Sequence, residues 1–101
     1  MKLWLDDVRP APAGWTLVKT AKEAIDLISE YMPYELSLDH DLGDALDAGT
    51  GYDVLKYIEN IVHEKPDTRL PNISLHTSNP VGKQMMELAL AAIFARSERS
   101  E

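Results

Sequence analysis

Apolar residues in this chain follow two rhythms, short runs of extended character and longer stripes spaced three and four apart. Leu3-Trp4-Leu5, Trp15-Thr16-Leu17-Val18, the segment 35–40 around Leu36 and Leu38, and the segment 72–76 around Ile73 and Leu75 predict strands. The first, third and fourth read as buried strands that end in polar, reactive residues. Three stripes at helical period lie between and after them. They are Ala24, Ile25, Ile28, Tyr31 and Met32; then Val54, Leu55, Ile58, Ile61 and Val62; and last Val81, Met85, Leu88, Ala89, Ala92 and Ile93.

Start and stop signals bound these helices. Thr20-Ala21-Lys22-Glu23 has the spacing of a capping box, and Pro33 ends what it begins. Thr50-Gly51-Tyr52-Asp53 opens the second helix and Lys65-Pro66 closes it. Asn79-Pro80 opens the third, with Asn as cap and Pro at the first helical position. The run Arg9-Pro10-Ala11-Pro12-Ala13-Gly14 is a stiff loop, and residues 41–51 form a polar one.

The order is strand, strand, helix, strand, helix, strand, helix. Alternation of this kind predicts a parallel sheet with helices on both faces. One join is awkward, because the first two strands are separated by less than the dozen or so residues of a usual parallel crossover. The second strand is reached by an extended loop or pairs antiparallel, and the extended loop is the favoured reading.

Composition narrows the class. The chain of 101 residues is one domain, expected over 1–97 with residues 98–101 as a frayed tail. It has no cysteine, which removes disulfides and thiolate metal sites. Its formal charge is −7, with 17 acids against 10 bases, so duplex DNA binding is not expected. A small phosphorylated ligand remains compatible if positive groups or a divalent cation offset the acids. No run resembles a signal peptide or a membrane span, and a cytoplasmic location is expected.

If the strands run parallel, their carboxyl ends gather the reactive residues at one rim, where open parallel sheets bind ligands. Asp6 and Asp7 form an adjacent acid pair, and Asp39 and Asp41 should converge on it. Oxygen ligands of this kind suit magnesium, so Asp6, Asp7, Asp39 and Asp41 are the candidate metal ligands. His40 and His76 are candidates for proton transfer beside Asp39. Thr77, Ser78 and Asn79 can hold a phosphate at the amino end of the last helix, and Lys83 in its first turn suggests an anion nearby. Arg9 neutralises the acid pair or touches a phosphate. His63 reads as a surface residue without chemistry, and Trp4 and Trp15 as packing. The run Asp41, Asp44, Asp47 lacks the spacing and terminal glutamate of a calcium loop.

The layout resembles a response-regulator receiver domain, with Asp6-Asp7 as its acid pair, Asp39 at the phosphoacceptor position and His76 where receivers carry serine or threonine. It departs from that pattern: the Pro-rich loop replaces the first helix, and the final strand with its lysine is missing. Trp-Leu-Asp-Asp-x-Arg-Pro, Ser-Leu-Asp-His-Asp-Leu-Gly, Gly-Tyr-Asp-Val-Leu and His-x-x-Asn-Pro-x-Gly together resemble the cyclic-phosphate-processing receiver-like domain, over residues 2–88. The resemblance implies an α/β, receiver/flavodoxin-like three-layer αβα fold with a short, mainly parallel four-stranded sheet. It further implies processing of cyclic phosphates such as 2′,3′-cyclic nucleotide or RNA ends. His40, His76 and Asp39 are the candidate catalytic residues for such a reaction, and Mg2+ is the cofactor the acid cluster would accommodate. A non-catalytic degenerate receiver that binds a partner protein or a phosphorylated ligand is the alternative. The uncovered sheet edge raises a homodimer as a further expectation.

Overall fold

The structure is a computed structural model that describes residues 1–43 and 48–97. The expected tail at 98–101 and the loop acids Asp44 and Asp47 lie outside the described residues. Four strands form one sheet: β1 (Lys2–Leu5), β2 (Thr16–Val18), β3 (Glu35–Leu38) and β4 (Asn72–Leu75). Three helices complete the described residues: α1 (Ala21–Glu30), α2 (Gly51–Glu64) and α3 (Pro80–Arg96). The strand order is β2-β1-β3-β4, and every pairing is parallel.

The extended-loop reading of β2 is the one found. Between Leu5 and Thr16 the chain makes no helix. It turns at Pro12 to Trp15, where the Trp15 amide donates to the Pro12 carbonyl at 3.1 Å and Gly14 takes φ +88°. That positive φ at the third turn position is one that glycine adopts without strain. The chain is then laid beside β1 in the same direction.

The layering differs from the expectation of helices on both faces. Both crossovers, β2 through α1 to β3 and β3 through α2 to β4, step the same way along the sheet. Right-handed connections in one direction place their helices on one face. α1 packs on α2, and α2 on α3, so the helices form a single layer. Alternation along the strands agrees: Leu3, Leu5, Leu36 and Leu38 are fully buried beneath the helices, whereas Lys2, Trp4 and Glu35 on the opposite side are only partly covered. Among the described residues the domain therefore has two layers. For the same reason β4 is not the buried strand its sequence suggests. It is an edge strand with Asn72 and Ser74 exposed and Ile73 and Leu75 half-buried.

The helix caps form as the sequence predicts. Glu23 and Thr20 satisfy each other's amides, and so do Asp53 and Thr50. The buried stripe of α3 is displaced from the expected one. Gly82, Met86, Ala89 and Ile93 face the core, while Val81, Met85 and Leu88 are exposed. α3 is apolar nearly all round, so spacing alone does not select its buried face. Contact does: Gly82 lies against the His40 ring and Met86 against Gly51. Glu59 ties α3 to α2, accepting from Lys56 Nζ at 2.7 Å and Arg96 Nε at 3.1 Å.

Candidate functional site

Leu5, Leu38 and Leu75 are the last residues of three neighbouring strands and stand in register. The residue after each is Asp6, Asp39 or His76, so the register alone sets these three side by side at the carboxyl rim. The ladder continues through them: the Asp39 amide donates to Leu5 O and the His76 amide to Leu38 O, both at 3.0 Å. Side chains alternate along a strand, so with the leucines pointing into the core these three point away from the helices. One ligand atom from each lies within 4.8 Å of the other two.

Each of the three is held from behind. Asp6, 1% exposed, accepts at Oδ1 from the amides of Val8 and Arg9 at 2.8 and 2.9 Å. Its Oδ2 lies 3.0 Å from His76 Nε2. Burial alone would raise the Asp6 pKa. The Arg9 and Val8 amides and the His76 imidazole outweigh burial and hold it below the usual carboxylate range. Asp39 Oδ1 accepts from the His40 amide at 2.8 Å. The His76 ring is fixed at Nδ1 by Ser37 Oγ, 2.7 Å away, and stacks on Trp4 at 4.0 Å with 7° between the planes. Trp15 meets Trp4 edge-on at 5.8 Å. Arg9 Nη1 donates to the His76 carbonyl, arching over the rim.

The second histidine belongs to a different group. His40 is one residue past Asp39, so its side chain returns to the helix side and packs on Gly82. A Cβ at residue 82 would fall 2.5 Å from the ring. Its Nδ1 bonds Asp41 Oδ1 at 2.9 Å, and Asn79 Nδ2 donates to both Asp41 oxygens at 3.2 Å. The bond to His40 lowers the Asp41 pKa despite its partial desolvation, and Asn79 adds to the effect. Asn79 Oδ1 also caps α3, accepting from the Gly82 amide at 3.0 Å.

Of the four expected metal ligands, Asp6 and Asp39 come together with His76 in place of Asp7 and Asp41. The Asp7 carboxylate packs near Gly43, where a Cβ would lie 2.9 Å from Oδ2, and Asp41 is engaged with His40 and Asn79. Among the expected phosphate holders, Thr77 Oγ1 accepts from the Asn79 amide at 3.1 Å. Ser78 and Lys83 are exposed beside it at the start of α3. His63 is an exposed helix-end residue, accepting at Nδ1 from Arg96 Nη1 at 3.2 Å. Sequence reasoning gave Trp4 only a packing role and gave Ser37 none. The available signal was the polar residue between two core leucines, which on a strand must face away from the core.

No helix among the described residues is long and apolar enough to cross a membrane. No curated protein and no solved structure matches the chain. One family model does match, over residues 1–92, described as the cyclic-phosphate processing receiver domain. A match across that much of the chain, on the parallel receiver-like sheet just described, places this protein in the cyclic-phosphate processing receiver domain family.

Proposed function

We propose that the rim hydrolyses a cyclic phosphodiester, such as a 2′,3′-cyclic nucleotide or RNA end, with Asp6, Asp39 and His76 activating the attacking water. The observation that carries this reading is the convergence of three strand ends on one 4.8 Å cluster of two carboxylates and an imidazole. Water oxygen bonds to phosphorus, one ring P–O bond breaks, and the product is a phosphomonoester with a freed hydroxyl. The water's proton passes to the cluster, and the leaving oxygen takes a proton from His40.

In-line displacement needs the attacking and leaving oxygens on opposite sides of phosphorus. A cyclic phosphate lying across Asp39 would meet His76 toward one face of the sheet and His40 toward the other, which suits that demand. Arg9, whose guanidinium bonds the His76 carbonyl, and Lys83, in the first turn of α3, are the positive charges assigned to the phosphoryl oxygens. A divalent cation fits the same donor set and would supply charge stabilisation and a more acidic water.

Turnover of 2′,3′-cyclic nucleotides by wild type, Asp39→Asn, His76→Ala and His40→Ala tests the reading. Loss of a proton-transfer group costs about 10²–10⁴-fold. Full turnover in both Asp39→Asn and His76→Ala would defeat it.

A further inference from the structure

We propose that Asp6, Asp39 and His76 hold one divalent cation, with His76 Nε2 as a direct ligand, and that this imidazole makes the site prefer Zn2+ and Mn2+ over Mg2+. The proposal deepens the reading of this rim as the reacting centre, but it concerns binding and is tested by binding.

The spacing fits a shared ion. Two ligands with bonds of about 2.1 Å lie about 3.0 Å apart at a right angle and about 3.4 Å apart in a tetrahedron. Asp6 Oδ2 and His76 Nε2 are 3.0 Å apart, and the Asp39 oxygen completes a set within 4.8 Å.

The surroundings fit a ligand set rather than an incidental cluster. In Asp6 and His76 the far atom is tied to the protein and the near atom is turned toward its neighbour, and Asp39 is held at one oxygen. Amides hold Asp6 Oδ1 and Asp39 Oδ1, and Ser37 Oγ holds His76 Nδ1. Such backing contacts orient metal ligands and raise their basicity. His76 Nε2 lies against Asp6 Oδ2; because a serine hydroxyl can accept as well as donate, Ser37 can take Nδ1–H, and Nε2 would then exchange its hydrogen bond to Asp6 for the ion. Stacking on Trp4 keeps the ring in that plane.

Charge points the same way. Among the described residues no lysine or arginine side chain bonds Asp6 or Asp39. Arg9 donates its guanidinium to the His76 carbonyl instead. Two carboxylates and a neutral imidazole are balanced by one divalent ion. Magnesium takes oxygen ligands and keeps its waters, whereas imidazole suits zinc and the later transition ions.

The test is calorimetric titration of chelator-treated wild type, His76→Gln and Ser37→Ala with ZnCl2, MnCl2 and MgCl2, with pulsed EPR of the Mn2+ complex. Wild type should bind in the order Zn2+, Mn2+, Mg2+. His76→Gln should erase the Zn2+ preference, and Ser37→Ala should weaken Zn2+ by about 10–100-fold. Nitrogen coupling to Mn2+ should appear in wild type and vanish in His76→Gln. The same Zn2+-to-Mg2+ ratio in wild type and His76→Gln overturns the proposal. So does the absence of nitrogen coupling in wild type, which needs no variant to fold. Binding that depends on His76 without any cyclic-nucleotide turnover would sink the hydrolase and leave the metal site. Turnover by a protein that binds no Zn2+ or Mn2+ would do the reverse.

Discussion

Gly51 opens α2 directly under the rim, and a methyl group there has no room. An added Cβ would lie 2.1 Å from the Asp39 carbonyl oxygen and 2.7 Å from Met86 Cε. The methionine end can swing aside. The carbonyl cannot, because it belongs to the strand end whose amide is bonded to Leu5. Carbon and oxygen ordinarily approach to about 3.3 Å, so helix and strand must part by roughly 1 Å. Overpacking costs about 1–3 kcal/mol, and a rigid backbone partner sets this case near the upper end. At this first helical position alanine returns at most about 1 kcal/mol, the helix-interior difference. The net loss for Gly51→Ala is about 2 kcal/mol, which for a domain of this size lowers Tm by about 8–16 °C. Since the displaced group is Asp39 itself, Zn2+ affinity and turnover should fall with it. Gly14→Ala is the control: open space surrounds that position, but φ +88° makes alanine costly there. It should lose about 1–2 kcal/mol of stability and leave Zn2+ affinity intact. The measurements are thermal melts by circular dichroism and Zn2+ titration of the three proteins. Gly51→Ala melting within about 3 °C of wild type would refute the reasoning.

Two further outcomes follow from the geometry. The Glu59 pKa is lowered by its bond to Lys56, against the effect of burial, and lowered again by Arg96. A carboxylate depressed in the folded state contributes stability above its unfolded pKa, near 4.5, and loses that contribution as pH falls through the lower folded value. Glu59→Gln should cost about 1–2 kcal/mol at pH 7 in urea unfolding and flatten the loss of stability below pH 4.5; a pH profile parallel to wild type would count against it. Trp4→Ala removes the ring under His76 and, the indole being half-buried, should destabilise by roughly 2 kcal/mol. His76 imidazole signals in NMR should then broaden or shift, Trp4→Phe should restore them, and unchanged signals in Trp4→Ala would show that the stack holds nothing in place.

Much of this was legible in the sequence because it rests on local rules. Both capping boxes depend on a side chain three residues from its amide, and Pro33 and Pro66 stop helices by chemistry internal to the chain. Placement of Asp6, Asp39 and His76 on one rim needs only that three strands be parallel. What escaped depends on neighbours. The buried face of α3 could not be read from a helix apolar nearly all round; it was chosen by the His40 ring seated on Gly82. The number of layers depends on strand order, which periodicity does not encode. Separation of His40 from His76 could be anticipated only in part. Alternation sends His40 and Asp39 opposite ways, but that Asp41 follows His40 rather than joining Asp39 is set by Asn79, distant in sequence.

The parity of the strands links the core to the chemistry more tightly than either alone suggests. Leu5, Leu38 and Leu75 face the helices, so the residue after each must face the helix-free side, and those residues are Asp6, Asp39 and His76. His40, one step further, turns back to the helices and is packed on Gly82 rather than joining the cluster. Hydrophobic burial of three leucines thus decides which imidazole meets the two carboxylates. A one-residue slip in any of these strands would turn its polar residue into the apolar layer and a leucine out of it, two penalties at once. The register that stabilises the sheet is for this reason the register that assembles the site. On the helix-free side, Trp4 and Ser37 stand opposite each other in register and meet the returning His76 ring with a flat face and a hydroxyl. The imidazole is held there by the sheet itself, which is why the described residues, with helices on only one face, still fix its orientation.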